Sequence, residues 1–294
     1  MSFRPEKQLS LKGIDLTNKT IDETQSLFQK VLKSGMHGIC FSAYEEGQKP
    51  GTVLTEEQVR RRMEVIAPYT KWIRSFSCIE GNELIPKIAK EYGIKTLVGA
   101  WLGKDKALNE KEIEGLVDLA KGGYVDIAAV GNEVLYRDDL TAEELLKYIQ
   151  RVKAAIPEIE VGYVDAYYEF GIHTKITEAC DVILANCYPY WEGCHLDYSL
   201  IYMKQMYLQA LRAGKGKKVI VTETGWPSEG SAYKDAHVSK ENAIKYFLNS
   251  QKWSKEEDID MFYFTSFDES WKVDGEGDVG AYWGLWDKEE NLKY

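Results

Sequence analysis

Asp126–Ala155, DIAAVGNEVLYRDDLTAEELLKYIQRVKAA, is the stretch whose reading decides the fold. Its first eight residues, DIAAVGNE, form a nearly continuous apolar run that ends on a glutamate. Such a run suits a parallel strand covered on both faces. Thr141 precedes Glu144 at capping-box spacing, and helical spacing continues from there to Ala155. The unit is therefore strand, turn, helix.

Working outward, the same unit recurs along the chain. Candidate strands are His37–Ala43, Trp72–Cys78, Lys95–Trp101, Asp126–Glu133, Val161–Ala166, Val182–Tyr188, Lys218–Glu223 and Asp260–Phe267. Helical segments between them include Thr55–Ile66, Asn82–Tyr92, Asn109–Lys121, Thr141–Ala155 and Ser239–Trp253. Thr55 before Gln58 also fits a capping box, whereas Ser239 before Asn242 supplies only a cap residue. Eight strands close a parallel barrel, so the predicted class is α/β, a (β/α)8 TIM barrel with a short N-terminal extension. In that extension Leu11–Asp15 reads as a short strand and Asp22–Leu32 as a helix. Counting Leu11–Asp15 as a barrel strand would give nine. The frame starting at His37 is preferred because it puts two glutamates at strand ends, which assigns residues 1–36 to the extension and 37–294 to one barrel.

A chain of 294 residues with 44% hydrophobic content can bury one sizeable core. No run of about twenty apolar residues is present, so no membrane helix is expected. MSFRPEKQLS carries no apolar leader. The chain is expected to be soluble, with its native form secreted or periplasmic and any leader absent from this stretch. A net charge of −10 argues against nucleic acid as a partner, because phosphate affinity needs clustered Lys and Arg. A neutral ligand fits better, and the eight Trp and nineteen Tyr offer flat rings for sugar faces. Cys40, Cys78, Cys180, Cys187 and Cys194 read as mostly free and buried.

In a barrel of this type, residues at the C-terminal strand ends point into a shared mouth. Glu133 ends the fourth strand in IAAVGNEV and Glu223 ends the seventh in VIVTETGWPS. Glycosidic hydrolysis needs one protonated carboxyl beside the leaving oxygen and one carboxylate beside the anomeric carbon. Glu133 is the candidate acid/base and Glu223 the candidate nucleophile. A separation of about 5–5.5 Å would enforce a covalent intermediate and retained configuration. A single glutamate after a strand is ordinarily a solvated loop carboxylate; two in such motifs shift the reading. Asn132 offers an amide for a sugar 2-hydroxyl, and Trp226 with Pro227 offers an aromatic floor.

GNEV around Glu133 and TETGWPS around Glu223 resemble the two signature motifs of glycoside hydrolase family 17, the β-1,3-glucanases and related transglycosylases. The resemblance runs from about Gly38 to the C-terminus. It is closer to bacterial and fungal members than to plant ones, judging from YEEGQKPG, IRSFSC and GAYWGLWD. ANCYPYW resembles the strand-six segment, which implies that the Tyr188 hydroxyl contacts the nucleophile and holds it ionised. FDESWK resembles the strand-eight segment, which implies that Glu269 and Lys272 tune charge and orient the acid/base. The stretch before His37 is not part of the plant pattern, and no long insertion follows strand six.

Trp101, Tyr136, Tyr167, Tyr168, Trp191 and Trp271 lie near strand ends as sugar-stacking candidates, each as readily explained by rim packing. Tyr44 and Tyr190 are weaker candidates. Glu45, Glu46 and Glu192 add acidity to the mouth, with solvated loops as the ordinary explanation. His37, His173, His195 and His237 are scattered and the cysteines lack zinc spacing, so no metal and no cofactor are expected. AGKGKK reads as a polar turn and DKEENLKY as a polar tail or turn. The reading is a monomeric, retaining endo-acting hydrolase of β-1,3-glucan. Its alternatives are a β-1,3-glucanosyltransferase using the same glutamates and a non-catalytic glucan-binding barrel.

Overall fold

A computed structural model describes residues 13–16 and 18–294. Leu11 and Lys12 lie outside the described residues, and Gly13–Asp15 form no strand. Among the described residues helix α1 (Ile21–Lys33) comes first, followed by β1 (Met36–Cys40) and α2 (Glu56–Ile66). The alternation continues through β2 (Thr70–Ser75), α3 (Leu84–Glu91), β3 (Lys95–Ala100), α4 (Lys106–Lys121), β4 (Ile127–Asn132) and α5 (Ala142–Ala155). Then come β5 (Glu160–Ala166), the short α6 (Glu169–Ile172) and α7 (Thr174–Ala179), β6 (Val182–Asn186) and α8 (Leu196–Gly214). The chain ends with β7 (Val219–Thr224), α9 (Lys240–Glu256), β8 (Met261–Tyr263) and α10 (Val273–Glu276).

The eight strands pair in parallel in chain order, and β8 closes onto β1 through Gly38 opposite Phe262 and Ile39 opposite Tyr263. This is a (β/α)8 barrel. Among the described residues the only α-helix after β8 is the four-residue α10, set between the 3-10 turns Ser270–Lys272 and Asp278–Tyr282. The seam between β8 and β1 is covered instead by α1, which packs against α9 and the Ala67–Tyr69 turn ahead of β2. Phe28 of α1 is fully buried, 4.7 Å from the Phe247 ring. Thr20 and Glu23 start that helix with a reciprocal capping box.

Several local expectations need correction. Thr55 caps the Gln58 amide but no reciprocal box forms, because the Gln58 side chain donates to the Ala43 carbonyl and to Gln48. The eighth strand is three residues long, not eight. Beyond it the backbone leaves the ladder: Thr265 N–H donates to Trp283 O at 3.2 Å, Ser266 to Cys40 O at 3.0 Å and Asp268 to Trp286 O at 2.9 Å. The C-terminal run turns at residues 288–290, as a polar turn would, but it is no free tail. Lys293 is buried in an ion pair with Asp268 at 3.0 Å, and buried Tyr294 meets the Phe28 ring edge-on at 5.0 Å. All five cysteines are free and buried. Among the described residues, no helix is long and apolar enough to cross a membrane.

Candidate active site

The end of β4 is re-aimed by its backbone. Its register against β5 shifts between Ala129 and Asn132, Gly131 has φ +86° and Glu133 itself has φ +50°. Such a turn carries a side chain out of the pleat toward the mouth. Three contacts fix the residues beyond it: the Tyr163 hydroxyl accepts from Leu135 N–H at 2.9 Å, Asp165 accepts from Tyr136 N–H at 3.4 Å, and Arg137 donates to Asn132 O at 2.7 Å.

Glu133 Oε1 accepts from Asn186 Nδ2 at 2.8 Å, and Thr222 Oγ1 donates to Asn186 Oδ1 at 2.9 Å, which fixes the amide's orientation. Burial pushes the Glu133 carboxyl up to about 7, the charge of Glu223 adding to it. Glu223 occupies the other side. One of its oxygens accepts from the Tyr188 hydroxyl at 2.7 Å and the other from Arg74 Nη1. Bonds accepted on both oxygens, one from a cation, suit a carboxylate. Arg74 is almost wholly buried and its other arm donates to Asn132 Oδ1 at 2.6 Å, so one guanidinium ties β2 to both β7 and β4. The Nδ2 donor of Asn132 is the end of the amide that Arg74 does not engage. The pair can act as a protonated acid beside an ionised nucleophile.

Glu269 and Lys272 pair at 2.5 Å, and Glu269 also accepts from Ser42 Oγ at 2.5 Å and Trp271 Nε1 at 3.0 Å. Lys272 Nζ lies 4.2 Å from the centroid of the Phe264 ring, and the charge that reaches it from the catalytic pair is that of Glu223. Both residues lie on the Glu223 side of the site; the hydrogen bond that orients Glu133 comes from Asn186. Trp226 offers no floor to a ligand. It is 1% exposed, with its indole N–H on His237 O at 2.9 Å and its ring against Tyr190 and Tyr246. Tyr44 and Tyr190 are buried as well. Trp101 and Tyr136 stay open, 38% and 59% exposed, and Arg137 sits 4.7 Å from the Trp101 centroid. Trp191, Trp271, Tyr167 and Tyr168 are half-buried. Among the described residues no group of His, Cys, Asp or Glu is arranged to hold a metal ion.

Residues 38–284 match the family model of the BtgE/BtgC glycoside hydrolase domain. The chain belongs to that family. This glycoside hydrolase is 30% identical over 264 residues to a glucan 1,3-beta-glucosidase of Schizosaccharomyces pombe, spanning 83% of the chain and 82% of the relative. It is 28% identical over 269 residues to the glucan 1,3-beta-glucosidase of Saccharomyces cerevisiae, spanning 83% and 86%. A solved glycoside hydrolase family 17 beta-1,3-glucanosyltransferase from Rhizomucor miehei superposes with a TM-score of 0.79 at 29% identity, covering 89% of this chain and 96% of that one. An active-site mutant of the same enzyme was solved in complex with laminaritriose.

Sequence reasoning passed over three residues of the hydrolase's site. Arg74 and Asn186 sit inside IRSFSC and ANCYPYW, yet nothing in spacing marks a residue that bridges two strands. Glu276, in VDGEGD, carries no signal of its own in the sequence. Its carboxyl is pushed up to about 7 by burial, Lys272 pulling it down and Glu223 pushing it up. The Trp283 indole beside it, like Lys272, favours its charged form.

Proposed function

We propose that this protein is a retaining, endo-acting β-1,3-glucan hydrolase of glycoside hydrolase family 17, with Glu133 as acid/base and Glu223 as nucleophile. The observation that carries the reading is the asymmetry of the two carboxyls. Glu133 is held by an amide in a buried setting that keeps it protonated near neutrality, while Glu223 is held by a guanidinium and a phenol. Attack by Glu223 on the anomeric carbon forms a glycosyl ester as Glu133 protonates the leaving oxygen. Glu133 then takes a proton from the acceptor, and attack on the ester frees Glu223.

The acceptor decides between hydrolysis and transfer, and the Rhizomucor miehei relative, itself a glucanosyltransferase, favours keeping transfer as the second reading. Trp101, Tyr136, Trp191 and Trp271 are the proposed stacking residues, with Asn132, Tyr188, Glu269 and Lys272 supporting the chemistry. The substrate is a laminarin-like glucan and the protein acts as a monomer, residues 37–294 being the catalytic barrel and 1–36 an extension. The native form is secreted or periplasmic, and the motifs sit with bacterial and fungal members of the family.

Incubation with laminarin and chromatography of the products tests this. Shortened chains are expected, with longer products appearing at higher donor concentration if transfer competes. Glu133→Gln or Glu223→Gln is expected to lower the rate by at least about 10³-fold. Retained binding without any product would instead identify a non-catalytic barrel.

A further inference from the structure

The long connection from β7 to α9 carries an aromatic residue that the catalytic reading does not use. Fourteen residues, 225–238, separate Thr224 from the Ser239 cap of α9 without helix or strand. Loops of this length in a barrel are usually functional. This one is held rigidly. Tyr233 and Ala236 exchange backbone hydrogen bonds at 3.1 and 3.0 Å around a turn with Lys234 at φ +52°. Ser231 is tied to Asp278 through both N–H and Oγ, and its carbonyl accepts from the Tyr190 hydroxyl at 3.0 Å.

That rigidity presents Tyr233, 39% exposed, with its ring centroid 6.0 Å from Trp191. Lys234 Nζ lies 5.0 Å from the Tyr233 centroid. The Lys234 stem runs against Gly193, where an added Cβ would come within 2.5 Å of it, so the loops after β6 and β7 interlock as one wall. Glu192, beside Trp191, accepts from the Tyr167 hydroxyl at 3.1 Å, which adds a carboxylate to the same wall for sugar hydroxyls. Behind it Tyr190, Trp226 and Trp283 form a buried aromatic stack, so the exposed ring rests on a stiff base.

We propose that Tyr233 extends the row begun by Trp191 into a distal subsite that stacks a glucosyl unit of the β-1,3-glucan chain remote from the scissile bond. The proposal rests on the glucanase reading above and adds a chain-length preference to it. Only oligosaccharides long enough to reach the loop gain from the ring.

The test is kcat/KM on a ladder of laminari-oligosaccharides for wild type, Tyr233→Ala and Tyr233→Phe, with thermal stability measured alongside. Expected is an unchanged rate on the shortest cleaved substrate and a loss of about 3- to 10-fold on the longer ones for Tyr233→Ala, carried mainly by KM. Tyr233→Phe should keep most of the gain. An equal loss at every length, or none at any, would overturn the subsite. Failure of wild type to cleave any member would overturn the substrate assignment, and the subsite with it.

Discussion

Glu133 combines a half-buried position with the acid's task proposed for it, and in that role its proton sets the working pH. A carboxyl raised from 4.5 to about 7 is protonated on the acid side of neutrality and loses its proton as pH rises through about 7. The alkaline limb of kcat/KM on laminarin is therefore expected near pH 7. It should be absent for an aryl laminaribioside whose leaving group needs no proton. Glu276 titrates in the same region, so the discriminating comparison is between variants: Glu276→Gln should retain the limb and Glu133→Gln should lack it. Stability follows with a definite sign. Between about 4.5 and 7 the folded protein binds more protons at Glu133 than the unfolded chain does, so its contribution to stability falls as pH rises through that window. Glu133→Gln should gain on the order of 1–3 kcal/mol relative to wild type at pH 8 compared with pH 4, read from urea unfolding. A constant difference across that range would place Glu133 in a more solvated setting than this structure gives it.

At the scale of elements, β4 shows how a strand end becomes a catalytic position. Gly131 lies in the left-handed region, and an added Cβ would meet Val134 Cγ2 at 2.7 Å. Gly131→Ala should cost about 1–3 kcal/mol of stability and, by shifting Glu133, about 10- to 100-fold in kcat/KM. Lost stability with unchanged kcat/KM would show that this turn does not set the carboxyl. The β4 strand was legible because IAAV is an unbroken apolar run, followed by a glycine placed where the chain must turn. The length of β8 was not. Asp260–Phe267 reads as one strand, but after Tyr263 the backbone bonds partners near Cys40 and Trp283 that only the closed ring brings within reach. The C-terminal DKEENLKY misled for a related reason: Lys293 and Tyr294 look solvated until Asp268 and Phe28 are folded against them.

For the whole molecule, the recurring strand–helix unit pointed to the barrel, and the placement of the two glutamates chose eight strands over nine. Both glutamates stood out because each ends an apolar run. The bridges between strands were hidden. Arg74 joins β2 to β4 and β7, and Asn186 joins β6 to β4, relations that exist only once eight strands close. Trp226 was misjudged because proximity in sequence to a catalytic strand end says nothing about which side of the loop faces the cleft. What the closed ring is proposed to achieve is the meeting of one protonated and one ionised carboxyl around a single glycosidic bond, with a covalent ester on the second. Inactivation with 2-deoxy-2-fluoro-β-laminaribiosyl fluoride, followed by peptide mass mapping, tests that claim most directly. A single glycosyl adduct on Glu223 is expected, and it should still form in the Glu133→Gln variant because fluoride leaves without a proton. An adduct on any other residue, or turnover of the reagent with no adduct accumulating, would contradict the retaining assignment.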